Sequence, residues 1–185
     1  MTHASDVRRA ASEERSGEIE VAMRIEHLDL AEASFPAPYR LRGYAPGDEA
    51  TWWALQDGAG IYGRLPAALF RREFADGDLR GRQVFVEHDA TAVATATAWR
   101  GAPLTGDDWG RVHWLAVLPA HRRRGLARAL MATLFAVFRA QRCRGAYLTT
   151  GSSNAPAIAL YRSLGFDPWP RSTAEAAVWR GLETR

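Results

Sequence analysis

The chain contains no lysine; all 24 of its basic residues are arginines. It has a single asparagine, Asn154, and a single cysteine, Cys143, in 185 residues. A GC-rich coding sequence explains the bias toward arginine and alanine, so arginine number carries no functional meaning and only its distribution does. One cysteine excludes an internal disulfide framework and fits a reducing, cytoplasmic setting. The longest apolar run, residues 129–138 with one threonine inside, is too short to cross a bilayer. No zinc-type spacing of cysteine and histidine occurs. His113 and His121 are expected on opposite sides of a strand end, so no metal is expected. Neither an internal repeat nor a low-complexity linker is visible.

Acidic residues are missing where the arginines gather. Residues 109–166 hold nine arginines and no aspartate or glutamate, a local charge of +9. The rest of the chain has 15 arginines against 21 acids, a charge of −6. Such asymmetry points to a localised anionic partner, whether a nucleotide-like cofactor, a nucleic acid or a membrane surface. Hydrophobic residues make up 47% and charged residues 24%, ordinary values for one globular domain with a real core.

Residues 1–38 read as an N-terminal tail, polar at first, with an extra strand somewhere in 17–35; residues 39–185 read as the domain proper. Residues 39–44 alternate as a strand, and Pro46-Gly47-Asp48 supplies a turn and an N-cap for a helix carrying Trp52, Trp53 and Leu55. A second helix is expected over 65–74, strands over 83–87 and 91–99 around a turn at 88–90, and a loop over 101–109. Residues 111–117 form a strongly β-prone run. Apolar residues then recur every four positions at Leu126, Leu130, Leu134 and Phe138, an amphipathic helix over 123–141. A strand over 146–150, a helix over 156–164 and strands over 166–169 and 174–179 complete the chain. The expected class is α/β of the α+β type: a mixed, largely antiparallel sheet of six to seven strands flanked by helices, with a β-helix-β unit at its centre.

The most informative stretch runs from Val117 and Pro119 through His121-Arg122-Arg123-Arg124-Gly125-Leu126-Ala127-Arg128. A strand passing through a basic, glycine-containing turn into a long helix is an anion site, because the N–H groups of the first helical turn point outward and carry the positive end of the dipole. A solvated arginine run before a helix would look the same. About thirty residues on comes Asn154-Ala-Pro-Ala157-Ile-Ala-Leu160-Tyr161-Arg-Ser-Leu164-Gly165-Phe166. Together, in this order and spacing, the two segments resemble the GNAT superfamily of N-acetyltransferases. That family's phosphate loop reads Arg or Gln, two residues, Gly, one residue, Gly or Ala. Its later segment reads Asn, two or three residues, Ala, then Leu-Tyr-x-x-Leu-Gly-Phe.

The resemblance implies a GNAT-like fold and an acetyltransferase that uses acetyl-CoA as co-substrate and needs no metal. It implies that acetyl-CoA lies between the splayed ends of two strands. Leu115, Ala116 and Val117 would hold the pantetheine arm through the main chain. Arg122, Arg123, Arg124, Gly125, Leu126, Ala127 and Arg128 would surround the pyrophosphate, with Arg123 standing where the family commonly has glycine. Asn154 and Ala157 would border the pantetheine, and Tyr161 would protonate the leaving thiolate. The acceptor would be the primary amine of a small molecule or peptide, with no nucleic acid or membrane partner; GNAT-like proteins are often homodimers.

A general base is harder to find, since the strand over 111–115 has no carboxylate. Strand parity puts His113 on the same face as Leu115 and Val117, and its titration range suits a base at neutral pH. Asp107, Asp108 and Glu49 are alternatives, and a packed strand histidine is an equal reading of His113. Two other functions compete. One is an acyl-CoA-sensing module without catalysis. The other is an arginine-rich nucleic-acid binder, for which the aromatics do not interleave with the basic residues in the chain.

Overall fold

The computed structural model describes residues 18–30, 34–61, 65–66, 68–74, 78–100 and 108–183. Its elements in chain order are β1 (Glu20–Ile25), β2 (Arg40–Gly43), α1 (Glu49–Gly58), α2 (Leu69–Glu73), β3 (Gln83–His88), β4 (Thr91–Arg100), β5 (Trp109–Val117), α3 (Leu126–Ala140), β6 (Gly145–Gly151), α4 (Ala155–Ser163), β7 (Asp167–Pro168) and α5 (Thr173–Glu183). A short 3₁₀ turn, Pro119–His121, follows β5. Seven strands form one sheet in the order β2-β3-β4-β5-β6-β1-β7. The pairings are antiparallel except β5 with β6, which are parallel and joined by α3. This is the expected mixed sheet with its central β-helix-β unit. The expected early strand is β1, paired with β6; the polar tail before it lies outside the described residues.

Alternation along the strands sorts side chains to two faces. Ala94, Ala96 and Ala98 of β4, Val84 and Val86 of β3, and Val112 and Val117 of β5 join Leu126, Leu130, Leu134, Phe135 and Phe138 of α3 in the larger core. Small β4 residues let α3 approach the sheet closely. On the other face Phe85 and Trp114 pack with Trp52 and Leu55 of α1 and Leu69, Phe70 and Phe74 around α2. Edge-on ring contacts tie that cluster together, with Trp52 meeting Phe70, Phe74 and Trp114 at 5.2–5.5 Å.

Local chemistry explains the turns. The β3–β4 hairpin has two central residues, Asp89 and Ala90, at φ of 50° and 60°, the doubly left-handed turn that matches strand twist. Asp48 precedes α1 but makes no capping bond. Its carboxylate instead takes the Arg42 guanidinium at 2.6 and 2.8 Å and the Ala45 N–H at 2.7 Å, pinning the helix start to β2.

Three elements depart from expectation. The segment expected as a strand over 174–179 is the helix α5. Ser172 Oγ accepts the N–H of Glu175, and Glu175 and Trp179, four apart, are its buried residues. The helix expected over 65–74 is the single short turn of α2. The third departure is in β5, where Thr95↔Ala116 is followed by Thr97↔His113: two steps on β4 face three on β5. The extra residue is a bulge at Trp114, whose φ is +52°.

Candidate functional site

The sheet opens at its centre. The β5–β6 ladder runs from Trp109↔Gly145 to Arg111↔Tyr147. Beyond it β5 stays with β4 and β6 stays with β1, so the two parallel strands part toward their C-terminal ends. The bulge at Trp114 bends β5 at this point. Gln56 of α1, wholly buried, donates from Nε2 to the Trp114 carbonyl at 2.8 Å and so fixes the bulge from another element.

At the mouth of this cleft lies the basic loop. Gly125 has φ +81° and Arg123 φ +62°, so residues 122–125 form a tight turn whose two left-handed positions aim the backbone toward the start of α3. Among the described residues no side chain caps the first turn of this fifteen-residue helix, and no acid occupies that turn. Its first N–H groups and the positive end of its dipole are therefore available to an anion. Arg123 and Arg124 are exposed beside it. Arg122 instead braces the loop: Nε donates to the Val117 carbonyl at 3.0 Å and Nη2 to the Ala59 carbonyl at 2.6 Å, tying it to β5 and to the end of α1. Arg128 binds Ser163 Oγ at 3.0 Å, linking α3 to α4.

The remaining predicted residues fall around the same opening or behind it. Leu115 is half-buried, while Ala116, Val117 and Leu126 are buried; Ala127 and Ala157 are half-buried. Asn154 caps α4, its Oδ1 accepting the Ala157 N–H at 3.4 Å. That leaves its Nδ2 side available for a second role. Tyr161 is buried on α4 with its ring 5.9 Å from that of Phe166.

His113 is not where strand parity puts it. The bulge moves it to the sheet face opposite Leu115 and Val117, where it is 1% exposed between Phe74, Trp99 and Trp114. There its Nε2 lies 3.3 Å from Oε2 of Glu73, a carboxylate with a fully buried side chain at the end of α2. The same oxygen accepts the Trp114 indole N–H at 2.9 Å. Sequence reasoning missed Glu73. Its signal was an acid four residues after Leu69 and beside Phe74, on the apolar face of a predicted helix. Of the alternatives, Glu49 and Asp108 are exposed, and Asp107 lies outside the described residues.

Three buried side-chain oxygens find no donor among the described residues: Glu73 Oε1, Gln56 Oε1 and Gln83 Oε1. Gln83 is held by Thr97, the residue opposite His113 in the ladder. Elsewhere, His121 accepts or donates at Nδ1 with the Tyr39 hydroxyl at 3.0 Å, and its ring lies 5.1 Å from His88. Burial pushes its pKa down, with His88 and Arg124 adding to the effect. His113 and His121 do not meet, and no group of three metal-binding side chains occurs among the described residues. No helix among the described residues is long and apolar enough to cross a membrane.

Comparison with known proteins agrees with this geometry. A family model described as the acetyltransferase (GNAT) family matches residues 34–166. A mycothiol acetyltransferase from Pseudarthrobacter chlorophenolicus is 27% identical over 173 residues, covering 86% of this chain and 52% of that protein. A mycothiol acetyltransferase from Acidothermus cellulolyticus is 32% identical over 137 residues, covering 69% of this chain and 39% of that protein. The chain thus spans about half or less of the length of these curated relatives. In fold it resembles a GCN5-related N-acetyltransferase from Sphaerobacter thermophilus, with a TM-score of 0.68, 21% identity, and coverage of 90% of this chain and 54% of the other.

Proposed function

Since the chain belongs to the GNAT acetyltransferase family, we propose that it transfers the acetyl group of acetyl-CoA directly to a primary amine of a small molecule or peptide. The parting of β5 and β6 beside the uncapped start of α3 carries this reading. Such a cleft suits a long ligand with an anionic end and an extended arm. The pyrophosphate would meet the N–H groups of Gly125, Leu126 and Ala127 together with Arg123 and Arg124. Arg122 and Arg128 would act indirectly, by holding the loop and α3 in place. The arm would run along the main chain of residues 115–117 on one side and past Asn154 and Ala157 on the other.

Acetyl-CoA supplies an activated acyl group whose thiolate is a good leaving group. The chain's own residues manage the protons. An amine is nucleophilic only when neutral, and one with a pKa near 10 is mostly protonated at neutral pH. His113 would take the proton as the nitrogen–carbon bond forms, and Tyr161 would give one to the sulfur as the carbon–sulfur bond breaks. The single buried thiol and the absence of acids from residues 109–166 fit a cytoplasmic enzyme with a nucleotide-like co-substrate.

Thermal unfolding with saturating acetyl-CoA, CoA and ATP tests this reading. Ligand at about 100 times its Kd should stabilise the fold by ~2.7 kcal/mol. A rise with both CoA forms and little with ATP is expected. No rise would mean that residues 122–127 are not a working cradle.

A further inference from the structure

Helix α1 ends without a cation of its own. Its last turn holds no basic side chain, and the final carbonyls of any helix lack partners within it and carry the negative end of its dipole. Arg122, 63 positions from Ala59 in the chain, meets that end. Its guanidinium is one rigid plane, and that plane is committed to two main-chain oxygens. Nη2 donates to the Ala59 carbonyl at 2.6 Å and Nε to the Val117 carbonyl, at the end of β5, at 3.0 Å. The close approach is built into the helix, because a Cβ at Gly58 would stand 3.0 Å from Leu118 Cδ2, on the residue after β5. One turn back on α1, Gln56 holds the Trp114 carbonyl at the bulge. Trp52, Leu55 and Gln56 are the buried face of α1, so the aromatic cluster anchors this helix without help from the loop.

We propose that Arg122 is a positioning residue that hangs the phosphate loop from the C-terminal end of α1. Gripping the bulge through Gln56 and the loop through Arg122, α1 sets the span between the acyl end and the pyrophosphate end of the cleft. This rests on the reading of the cleft as the acetyl-CoA site. The motif alone put Arg122 around the pyrophosphate; the structure turns two of its donors onto the protein instead. The dependence runs one way. The loop takes its place from α1, while α1 is held by its own buried face, so a change within the loop leaves the aromatic side undisturbed. Lysine would keep the charge of Arg122 but not its function, since a single ammonium on a flexible stem does not reproduce a planar fork across two carbonyls.

Calorimetric titration of the whole chain with acetyl-CoA, repeated over a range of salt concentrations, separates a strut from a phosphate ligand without knowledge of the acceptor. Arg122→Lys and Arg122→Met should both bind about tenfold more weakly than the wild type, the worth of one charge-assisted hydrogen bond. Arg122→Lys should keep the wild-type salt dependence, whereas Arg124→Gln, which removes a charge beside the helix start, should flatten it. Near-wild-type affinity in Arg122→Lys with weak binding in Arg122→Met would make the charge the active feature and overturn the proposal. Wild-type affinity in both would overturn it too. Amide hydrogen exchange without ligand reads the strut itself. In both variants the amides of Ala59 and Gly60 should exchange faster while those of residues 52–56 keep their protection, which also shows that the fold is intact. Unchanged exchange at Ala59 and Gly60 would mean that nothing hangs from α1. A wild type that shows no acetyl-CoA binding, with the exchange difference present, would instead reject the cofactor reading, and the positioning role would go with it.

Discussion

The two faces of the central sheet differ in how they prepare for a ligand. On the side of the cleft mouth, charge is exposed: Arg123 and Arg124 stand in solvent beside a helix start that no side chain caps among the described residues. Beneath α1 and α2, polar groups are few, buried and mutually engaged, with Glu73, His113, Trp114, Gln56 and Gln83 all inside or beside an aromatic cluster. The first arrangement would recognise a ligand by field and backbone geometry, which many sequences can supply. The second depends on particular contacts between distant parts of the chain. Damage should therefore show as lost affinity on one side and as lost stability and altered proton chemistry on the other.

The sharpest test of that contrast is Gly125→Val. At φ +81° a β-branched residue is strained, although no neighbouring atom lies within contact range of a Cβ there. The strain should cost about 1–2 kcal/mol of stability. The larger effect should be loss of most of the ~2.7 kcal/mol conferred by acetyl-CoA at 100 times its Kd, read as a collapsed melting-temperature shift. The His113 resonances on the opposite face should stay in place. Movement of those signals would mean that the two sides are one coupled unit.

On the buried side, Gln56→Leu should give the next largest change. It leaves the Trp114 carbonyl without its donor in a dry environment, a cost of about 1–3 kcal/mol. Removing the donor-less Oε1 offsets part of this. Chemical denaturation should show the lower midpoint. If the bulge relaxes, His113 should swing toward the parity-expected face and its contact with Glu73 should be lost. A variant with normal stability and an intact bulge would show that β5 bends for reasons of its own.

This contrast also explains what could be read in the chain. The loop at 122–127 and the segment from Asn154 to Phe166 are local: residue types at fixed spacing decide the turn, the cap and the helix, so the family, the sheet and the basic turn at the head of α3 were legible. Bulges and buried pairs are not local. Parity assumes an unbroken ladder, and the bulge at Trp114 depends partly on a glutamine 58 positions away. Glu73 meets His113 only because a short helix packs across β5. The helix α5 is a different kind of miss, for its Ser172–Glu175 capping pair is plain in the sequence.

A smaller effect separates strain from charge on the cofactor side. Arg123 stands at φ +62°, where glycine is at ease. Arg123→Gly should relieve roughly 1 kcal/mol of backbone strain, while the freer unfolded chain takes back a similar amount, so the melting temperature should barely change. Acetyl-CoA affinity should nevertheless fall a few-fold, more at low salt, because one exposed charge has gone. An affinity that rises instead would mean that the arginine stiffens the loop in a poor geometry for phosphate.

The smallest effect lies at the border between the two regions, at His121. Burial, then His88 and Arg124, hold its pKa below the usual imidazole value. A lowered value in the folded state means that the unfolded chain binds the proton more readily, so stability should fall as pH drops through about 6.5 and be unaffected well above it. His121→Asn should flatten that slope in thermal melts between pH 5 and 8 (roughly the imidazole range) while leaving the neutral-pH melting temperature nearly unchanged. Bound acetyl-CoA should lessen it slightly, because phosphates near Arg124 offset the smallest of the three causes that oppose protonation. A slope untouched by acetyl-CoA would place the anionic end of the ligand away from Arg124, and the cradle would then be the loop's backbone with Arg123.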